Sequence, residues 1–263
     1  MKAAIHVRQS TGQALRKGLG RLGYDLVKRP QDDLPFDLKK EHKGIIQAVR
    51  PFTATTPERI AALVDAVDYI ATNQIPGALV ECGVWRGGSM MAAALKLLAK
   101  GVTDRDLWLF DTFSGMTPPS DLDRRAWDGR TAEDMLEERS PEEVGNIWCV
   151  ASVEDVQANL ASTGYPTDRC RFVVGPVEDT IPGDAPQDIA LLRLDTDWYE
   201  STAHELRHLY QRIAPGGVLI LDDYGEWEGA RRATDEFMAL ISPRPLLVRL
   251  DSGGRLAVVP GGG

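Results

Sequence analysis

The chain has 263 residues, with 30 lysines and arginines against 39 aspartates and glutamates, a formal net charge of −9. That length suits one sizeable α/β domain, or one domain plus an arm. The acidic balance and the lack of any Lys/Arg run argue against nucleic acid as a partner, and no apolar run approaches a membrane span.

Met1 to Arg8 lacks the apolar core of a signal peptide, so a cytoplasmic protein is expected. Cys82, Cys149 and Cys170 form an odd, scattered set. They read as reduced thiols without metal-ligand spacing.

Residues 1–75 read as an N-terminal helical arm or lid. Leu15, Leu19, Leu22 and Leu26 recur at helical spacing. Such a strip packs on the domain body, on a substrate or on a partner subunit, and a homo-oligomer is expected. Thr56-Pro57-Glu58 reads as an N-cap, a first-turn proline and an acid near the positive helix end. The helix it opens carries Ile60, Leu63, Val64, Val67 and Ile70 on one face, and Pro76-Gly77 closes the region.

From residue 76 onward strands and helices alternate. Strands are expected at 78–84, 107–113, 170–176, 188–195 and 217–222, with helices near 89–100, 154–163 and 201–213. This order implies a doubly wound, Rossmann-like, mostly parallel sheet. Pro245–Leu250 and Arg255–Val259 flank Asp251-Ser252-Gly253-Gly254 and read as a C-terminal antiparallel hairpin. The polar stretch 114–150 is too long for an ordinary crossover and reads as a surface excursion near the site.

The first strand runs into Glu81-Cys82-Gly83-Val84-Trp85-Arg86-Gly87-Gly88-Ser89, a glycine turn that opens a helix. Ligands of open α/β sheets sit just past such turns. Gly83 and Gly87 are four apart, so the dinucleotide fingerprint G-x-G-x-x-G is absent. Glu81 before the turn would repel a pyrophosphate but welcome an ammonium or a ribose hydroxyl. That favours a ligand with an amino-acid end and a nucleoside end, such as S-adenosylmethionine. Asp111, ending the second strand, is placed to accept from ribose hydroxyls.

Two further strands end in acids: Asp195-Thr196-Asp197 and Asp222-Asp223. Carboxylates meeting at adjacent strand ends repel unless a cation neutralises them. An all-oxygen set without His or Cys suits a hard ion such as Mg²⁺. Such an ion lowers the pKa of a substrate hydroxyl, and a nearby carboxylate takes its proton. Each acid is also a candidate for capping the following helix or turn. His204 and His208, one turn apart, read as solvated surface residues. Trp198 and Tyr199 either line an acceptor pocket or pack, and Arg86 either meets the cofactor carboxylate or pairs with an acid.

On these residues the chain resembles the macrocin O-methyltransferase family, over about Pro51 to Phe237. The resemblance rests on Leu79 through Ser89, Phe110-Asp111-Thr112-Phe113-Ser114-Gly115-Met116, Val177 through Pro182, Leu194 through Thr202, Pro215-Gly216-Gly217 and Asp222-Asp223-Tyr224. It implies a class I S-adenosylmethionine-dependent methyltransferase domain over 76–263 that methylates a hydroxyl, with a sugar of a natural product or glycan as the small-molecule acceptor. It implies cofactor contacts at Glu81, Gly83, Val84, Trp85, Gly87, Ser89, Asp111, Thr112, Phe113, Val177, Glu178 and Asp195. It also implies a divalent metal on Asp195, Asp222 and Asp223, with Asp195 as base. Asp197 matches the second acid of the family's Asp-x-Asp, so the two roles are exchangeable.

One departure stands out. Many relatives carry Gly-Trp-Phe-Lys-Asp-Thr where this chain has Gly175-Pro176-Val177-Glu178-Asp179-Thr180, and the aromatic flank of the adenine is lost. A hydroxylase-like enzyme on the same scaffold would need His among redox-metal ligands, and the set has none. A non-catalytic cofactor-binding protein would gain nothing from clustered unneutralised charge.

Overall fold

The computed structural model describes residues 34–140 and 147–261. The chain divides into two units, Met1–Asp37 and Leu38–Gly263. The leucine strip at 15–26 lies outside the described residues.

The second unit opens with α1 (Lys40–Val49) and α2 (Pro57–Thr72). The Thr56 hydroxyl accepts from the Arg59 amide at 3.3 Å, with Pro57 in the first turn, so the N-terminus of α2 is capped as its sequence requires. There follow β1 (Ala78–Cys82), α3 (Gly88–Ala99), β2 (Leu107–Asp111), α4 (Ala132–Glu137), α5 (Val153–Ala161), β3 (Cys170–Val174), α6 (Val177–Thr180), β4 (Ile189–Leu194), α7 (Tyr199–Leu209), β5 (Ile213–Leu221), α8 (Glu228–Leu240), β6 (Val248–Arg249) and β7 (Arg255–Val258).

The seven strands form one sheet in the order β3-β2-β1-β4-β5-β7-β6. Strands β1 to β5 pair in parallel, and β7 lies antiparallel to both β5 and β6. This is the doubly wound sheet with a C-terminal hairpin that the strand pattern predicts. The order reverses between β1 and β4, so a crevice opens at their carboxyl ends. Every residue of β1 and β4 is buried, as expected for central strands covered on both faces. Leu79, Leu107, Leu191 and Leu192 are fully enclosed.

Two features depart from the sequence reading. Helix α8 is absent from it. Its apolar face is built largely of small residues, Ala230 and Ala233 with Thr234 and Met238, which give little periodic signal. The excursion at 114–150 is also not purely superficial. Ala132 and Leu136 join Trp198, Trp227 and Ala230 in a small separate core, with Met116, Ile147 and Trp148 against it. Few apolar residues suffice there because the two tryptophans come from other parts of the chain.

Candidate active site

A cleft of about 380 Å³ opens at the carboxyl ends of the strands. Its walls include Gly83, Val84, Trp85 and Ser89 after β1, Asp111 and Thr112 after β2, Val177 and Glu178 after β3, and Asp195, Asp222 and Asp223 after β4 and β5. Phe52 to Thr56 close one side, and Met116, Thr117 and Cys149 line another.

Backbone hydrogen bonds knit the strand ends together. Gly83 N donates to Phe110 O (2.9 Å), Asp195 N to Cys82 O (2.8 Å) and Asp222 N to Leu194 O (2.9 Å). Gly83 has φ +80°, and a Cβ there would stand 2.0 Å from the Asp195 carbonyl oxygen. Only glycine lets β1 and β4 approach this closely.

Asp111 is fixed from both sides. Its Oδ2 accepts from Val84 N (2.6 Å) and Trp85 N (3.1 Å), and its Oδ1 from Phe113 N (2.7 Å). The carboxylate therefore shapes the glycine turn: Oδ2 gives both its lone pairs to amides, while Oδ1 is the oxygen with capacity left for a ligand hydroxyl.

Not every residue expected to hold cofactor reaches the cleft surface. Glu81, Gly87 and Phe113 are not among its lining residues. Glu81 is buried on β1, where its Oε1 accepts from Arg193 Nη1 at 2.7 Å. Burial pushes its carboxyl up to about 7 against the opposing pull of Arg193. Gly87 caps α3 in the left-handed region.

The charge that balances the acids comes from two arginines absent from the sequence reading. Arg193, buried on β4, donates to Asp195 Oδ2 (2.6 Å), Asp222 Oδ1 (2.6 Å), Glu81 and the Thr55 hydroxyl (2.8 Å). Arg59 on α2 donates to Asp222 Oδ2 (2.6 Å), Glu226 (2.8 Å) and both oxygens of Asp251 (2.8 and 2.9 Å). Burial alone would raise the Asp222 carboxyl, but the two guanidinium charges outweigh it and hold it below the usual range. The signal that could have revealed Arg193 is a lone arginine inside an otherwise apolar strand, Ile189-Ala190-Leu191-Leu192-Arg193-Leu194.

Asp197 and Asp223 have no ion-pair partner among the described residues. Asp223 Oδ2 accepts from Asp197 N (3.1 Å), and Asp197 Oδ1 accepts from Trp227 Nε1 (2.6 Å). Burial, then the charge of Asp195, pushes the Asp197 carboxyl up to about 8. Burial, then the charge of Asp197, raises Asp223 well above the usual range.

Ligand oxygens of Asp195, Asp222 and Asp223 lie within 4.8 Å of one another. The set fits a hard divalent ion, since all donors are oxygens and negative charge remains beyond what the arginines neutralise. Asp223 is the freest donor, whereas Asp222 already gives one oxygen to each arginine.

The remaining candidates pack. Arg86 pairs with Asp155 (2.9 Å), and Trp198 meets Trp227 edge to face at 4.9 Å between ring centres. The Tyr199 hydroxyl donates to Glu236 (2.8 Å), and His204 contacts the Ile181 carbonyl (2.9 Å).

A seven-stranded sheet with a cleft at the β1/β4 switch, a glycine turn and an acid ending β2 define a class I methyltransferase fold. The chain belongs to the macrocin-O-methyltransferase (TylF) family, whose pattern matches residues 23–253. It is 39% identical over 167 residues to an 8-demethyl-8-(2,3-dimethoxy-alpha-L-rhamnosyl)-tetracenomycin-C 4'-O-methyltransferase of Streptomyces olivaceus, covering 64% of this chain and 60% of that one. It is 34% identical over 197 residues to a demethyldecarbamoylnovobiocin O-methyltransferase of Streptomyces niveus, covering 75% of this chain and 71% of the relative. The structure of the O-methyltransferase NovP superposes with a TM-score of 0.68 at 29% identity, covering 88% of this chain and 93% of that one. Among the described residues no helix is long and apolar enough to cross a membrane.

Proposed function

We propose that this protein transfers a methyl group from S-adenosylmethionine to a hydroxyl, with a sugar of a natural product or glycan as acceptor. The observation that carries the proposal is the placement of four carboxylates, Asp195, Asp197, Asp222 and Asp223, around one cleft beside the Gly83–Ser89 turn. The relatives named above support the acceptor class, as one is named for methylating a rhamnosyl-tetracenomycin and the other for methylating demethyldecarbamoylnovobiocin.

In this reading the turn from Gly83 to Ser89 receives the methionine end, and Asp111 faces the ribose. Val177 and Glu178 stand where the adenine would lie. Glu81 acts from beneath, by holding Arg193. Asp195, Asp222 and Asp223 would hold a divalent ion such as Mg²⁺, which when bound lowers the pKa of an acceptor hydroxyl.

The chain's own groups then divide the work. Asp195 gives Oδ2 to Arg193 at 2.6 Å and belongs to the proposed metal set, which commits its oxygens, although burial outweighs the pull of Arg193 and raises its carboxyl well above the usual range. Asp197 lines the same cleft, with only a neutral indole donor on one oxygen. We therefore assign proton removal to Asp197 and charge-holding to Asp195, one of the two arrangements that the Asp-x-Asp spacing leaves open. The cleft walls bring hydroxyl and methyl into line, and that proximity supplies much of the acceleration.

Titration calorimetry with S-adenosylhomocysteine, with and without Mg²⁺, tests the cofactor. Transfer of labelled methyl from S-adenosylmethionine across a panel of deoxysugar glycosides tests the acceptor. Saturable binding with transfer to at least one glycoside is expected. Absence of S-adenosylhomocysteine binding would remove the proposal.

A further inference from the structure

Asp123 belongs to the polar excursion, yet it is fully buried. Its Oδ1 accepts from Tyr199 N at 2.7 Å, and its Oδ2 accepts from Ser120 N (2.7 Å) and the Ser120 hydroxyl (2.8 Å). Tyr199 is the first residue of α7, and the preceding Trp198 offers that helix no side-chain cap. A carboxylate from elsewhere thus performs the capping, where orphan amides and the helix dipole both favour negative charge.

The surroundings are shaped to this contact. A Cβ on Gly229 of α8 would stand 2.0 Å from Asp123 Oδ1 and 3.1 Å from Tyr199 N. Trp198 Nε1 donates to the Thr117 carbonyl at 2.9 Å, and Thr117 lines the cleft. Trp198 packs against Trp227, whose Nε1 holds Asp197. One end of this chain of contacts is a cleft wall, and the other is the carboxylate assigned to proton removal.

We propose that Asp123 is a positioning residue that locks the Met116–Thr117 wall to the Asp195–Trp198 turn, so that acceptor wall and Asp197 are aimed together. The inference rests on the methyltransferase reading for its activity arm only. The excursion thereby gains a role in the site. Its described part presents an acceptor-facing wall, and one buried anchor sets both the position of that wall and the aim of Asp197. The cofactor turn at Gly83–Ser89 shares none of these contacts and should not sense the anchor.

The test compares Asp123→Ala, Asp123→Asn and Gly229→Ala in the full chain. Gly229→Ala attacks the same contact from the opposite side and keeps the fold testable if Asp123→Ala does not fold. Hydrogen exchange read by mass spectrometry should speed at least tenfold at residues 197–200 in Asp123→Ala and Gly229→Ala and stay unchanged at 83–89. The Kd for S-adenosylhomocysteine should remain within twofold. With p-nitrophenyl α-L-rhamnopyranoside as acceptor, kcat should fall at least tenfold, and Asp123→Asn, which retains an acceptor for Tyr199 N, should recover most of it.

Faster exchange confined to 116–125, with 197–200 still protected, would overturn the coupling. So would an unchanged kcat in a folded Gly229→Ala protein. If the unmodified protein transfers no methyl to this rhamnoside, the acceptor reading fails for that sugar, and the exchange result alone decides the anchor.

Discussion

Arg193 on β4 and Asp222, just past the end of the adjacent β5, meet at 2.6 Å inside the protein, with 3% and 6% of their side chains exposed. The same guanidinium serves Glu81 and Asp195, so one buried cation is shared by three carboxylates. Attraction repays desolvation in such a cluster only while every member is present.

Arg193→Met should therefore destabilise the fold severely, by about 3–5 kcal/mol, because buried Glu81 and Asp222 and half-buried Asp195 lose their common partner. Urea unfolding followed by circular dichroism measures this. A loss below about 1 kcal/mol would mean that another group neutralises the acids.

Asp111→Ala removes the acceptor for Val84 N, Trp85 N and Phe113 N as well as the proposed ribose contact. The Kd for S-adenosylhomocysteine should rise at least tenfold, about 1.4 kcal/mol. An unchanged Kd in a folded variant would remove Asp111 from the cofactor site.

Chelation should abolish turnover, with Mg²⁺ or Mn²⁺ restoring it, because the clustered donors are all carboxylate oxygens. Full activity after exhaustive chelation would eliminate the metal while leaving methyl transfer intact.

Asp197→Asn should lower kcat by about a hundredfold or more if Asp197 takes the proton. Asp195→Asn keeps a coordinating oxygen and should be milder at saturating Mg²⁺, with S-adenosylhomocysteine binding little changed in both. The reverse ranking would return the base to Asp195.

Glu205 on α7 is fully buried, and only Oε2 has a hydrogen-bond partner, the Thr196 hydroxyl at 3.2 Å. Burial raises its carboxyl well above the usual range, against the lowering by Thr196. An acid raised on folding is most favourable to the fold below its unfolded pKa, and that stability is lost as pH climbs towards the folded value. Glu205→Gln should therefore leave Tm nearly unchanged at pH 5 and raise it at pH 8.5. Equal shifts at both pH values would show that Glu205 does not titrate differently on folding.

The strand ends were legible because short apolar runs stop at acids and glycines, and those signals are local. Asp195, Asp197, Asp222 and Asp223 share one edge because parallel strands bring their carboxyl ends together, whereas the choice of Asp195, Asp222 and Asp223 as a ligand set comes from the family resemblance. What neutralises them was not legible. Arg59 is 163 positions from Asp222, and its helix reads as an ordinary amphipathic one. Glu81 shows the same limit: its place in the glycine turn suggested a ligand contact, whereas the β1–β4 register sets it opposite Arg193. Asp123 was hidden in a polar stretch, where nothing distinguishes a buried acid from a solvated one.

The bond from Arg59 to Asp251 joins positions 192 apart, and the Thr56 hydroxyl meets the same aspartate across 195. Asp251 lies in the turn between β6 and β7, and Thr56 is part of the cleft wall. During synthesis from the N-terminus, these two bonds cannot form until Asp251 has left the ribosome, long after the wall itself has emerged. A ribosome stalled anywhere between β2 and α8 would hold a nascent chain whose Phe52–Thr56 segment has been made but whose Asp251 partner has not.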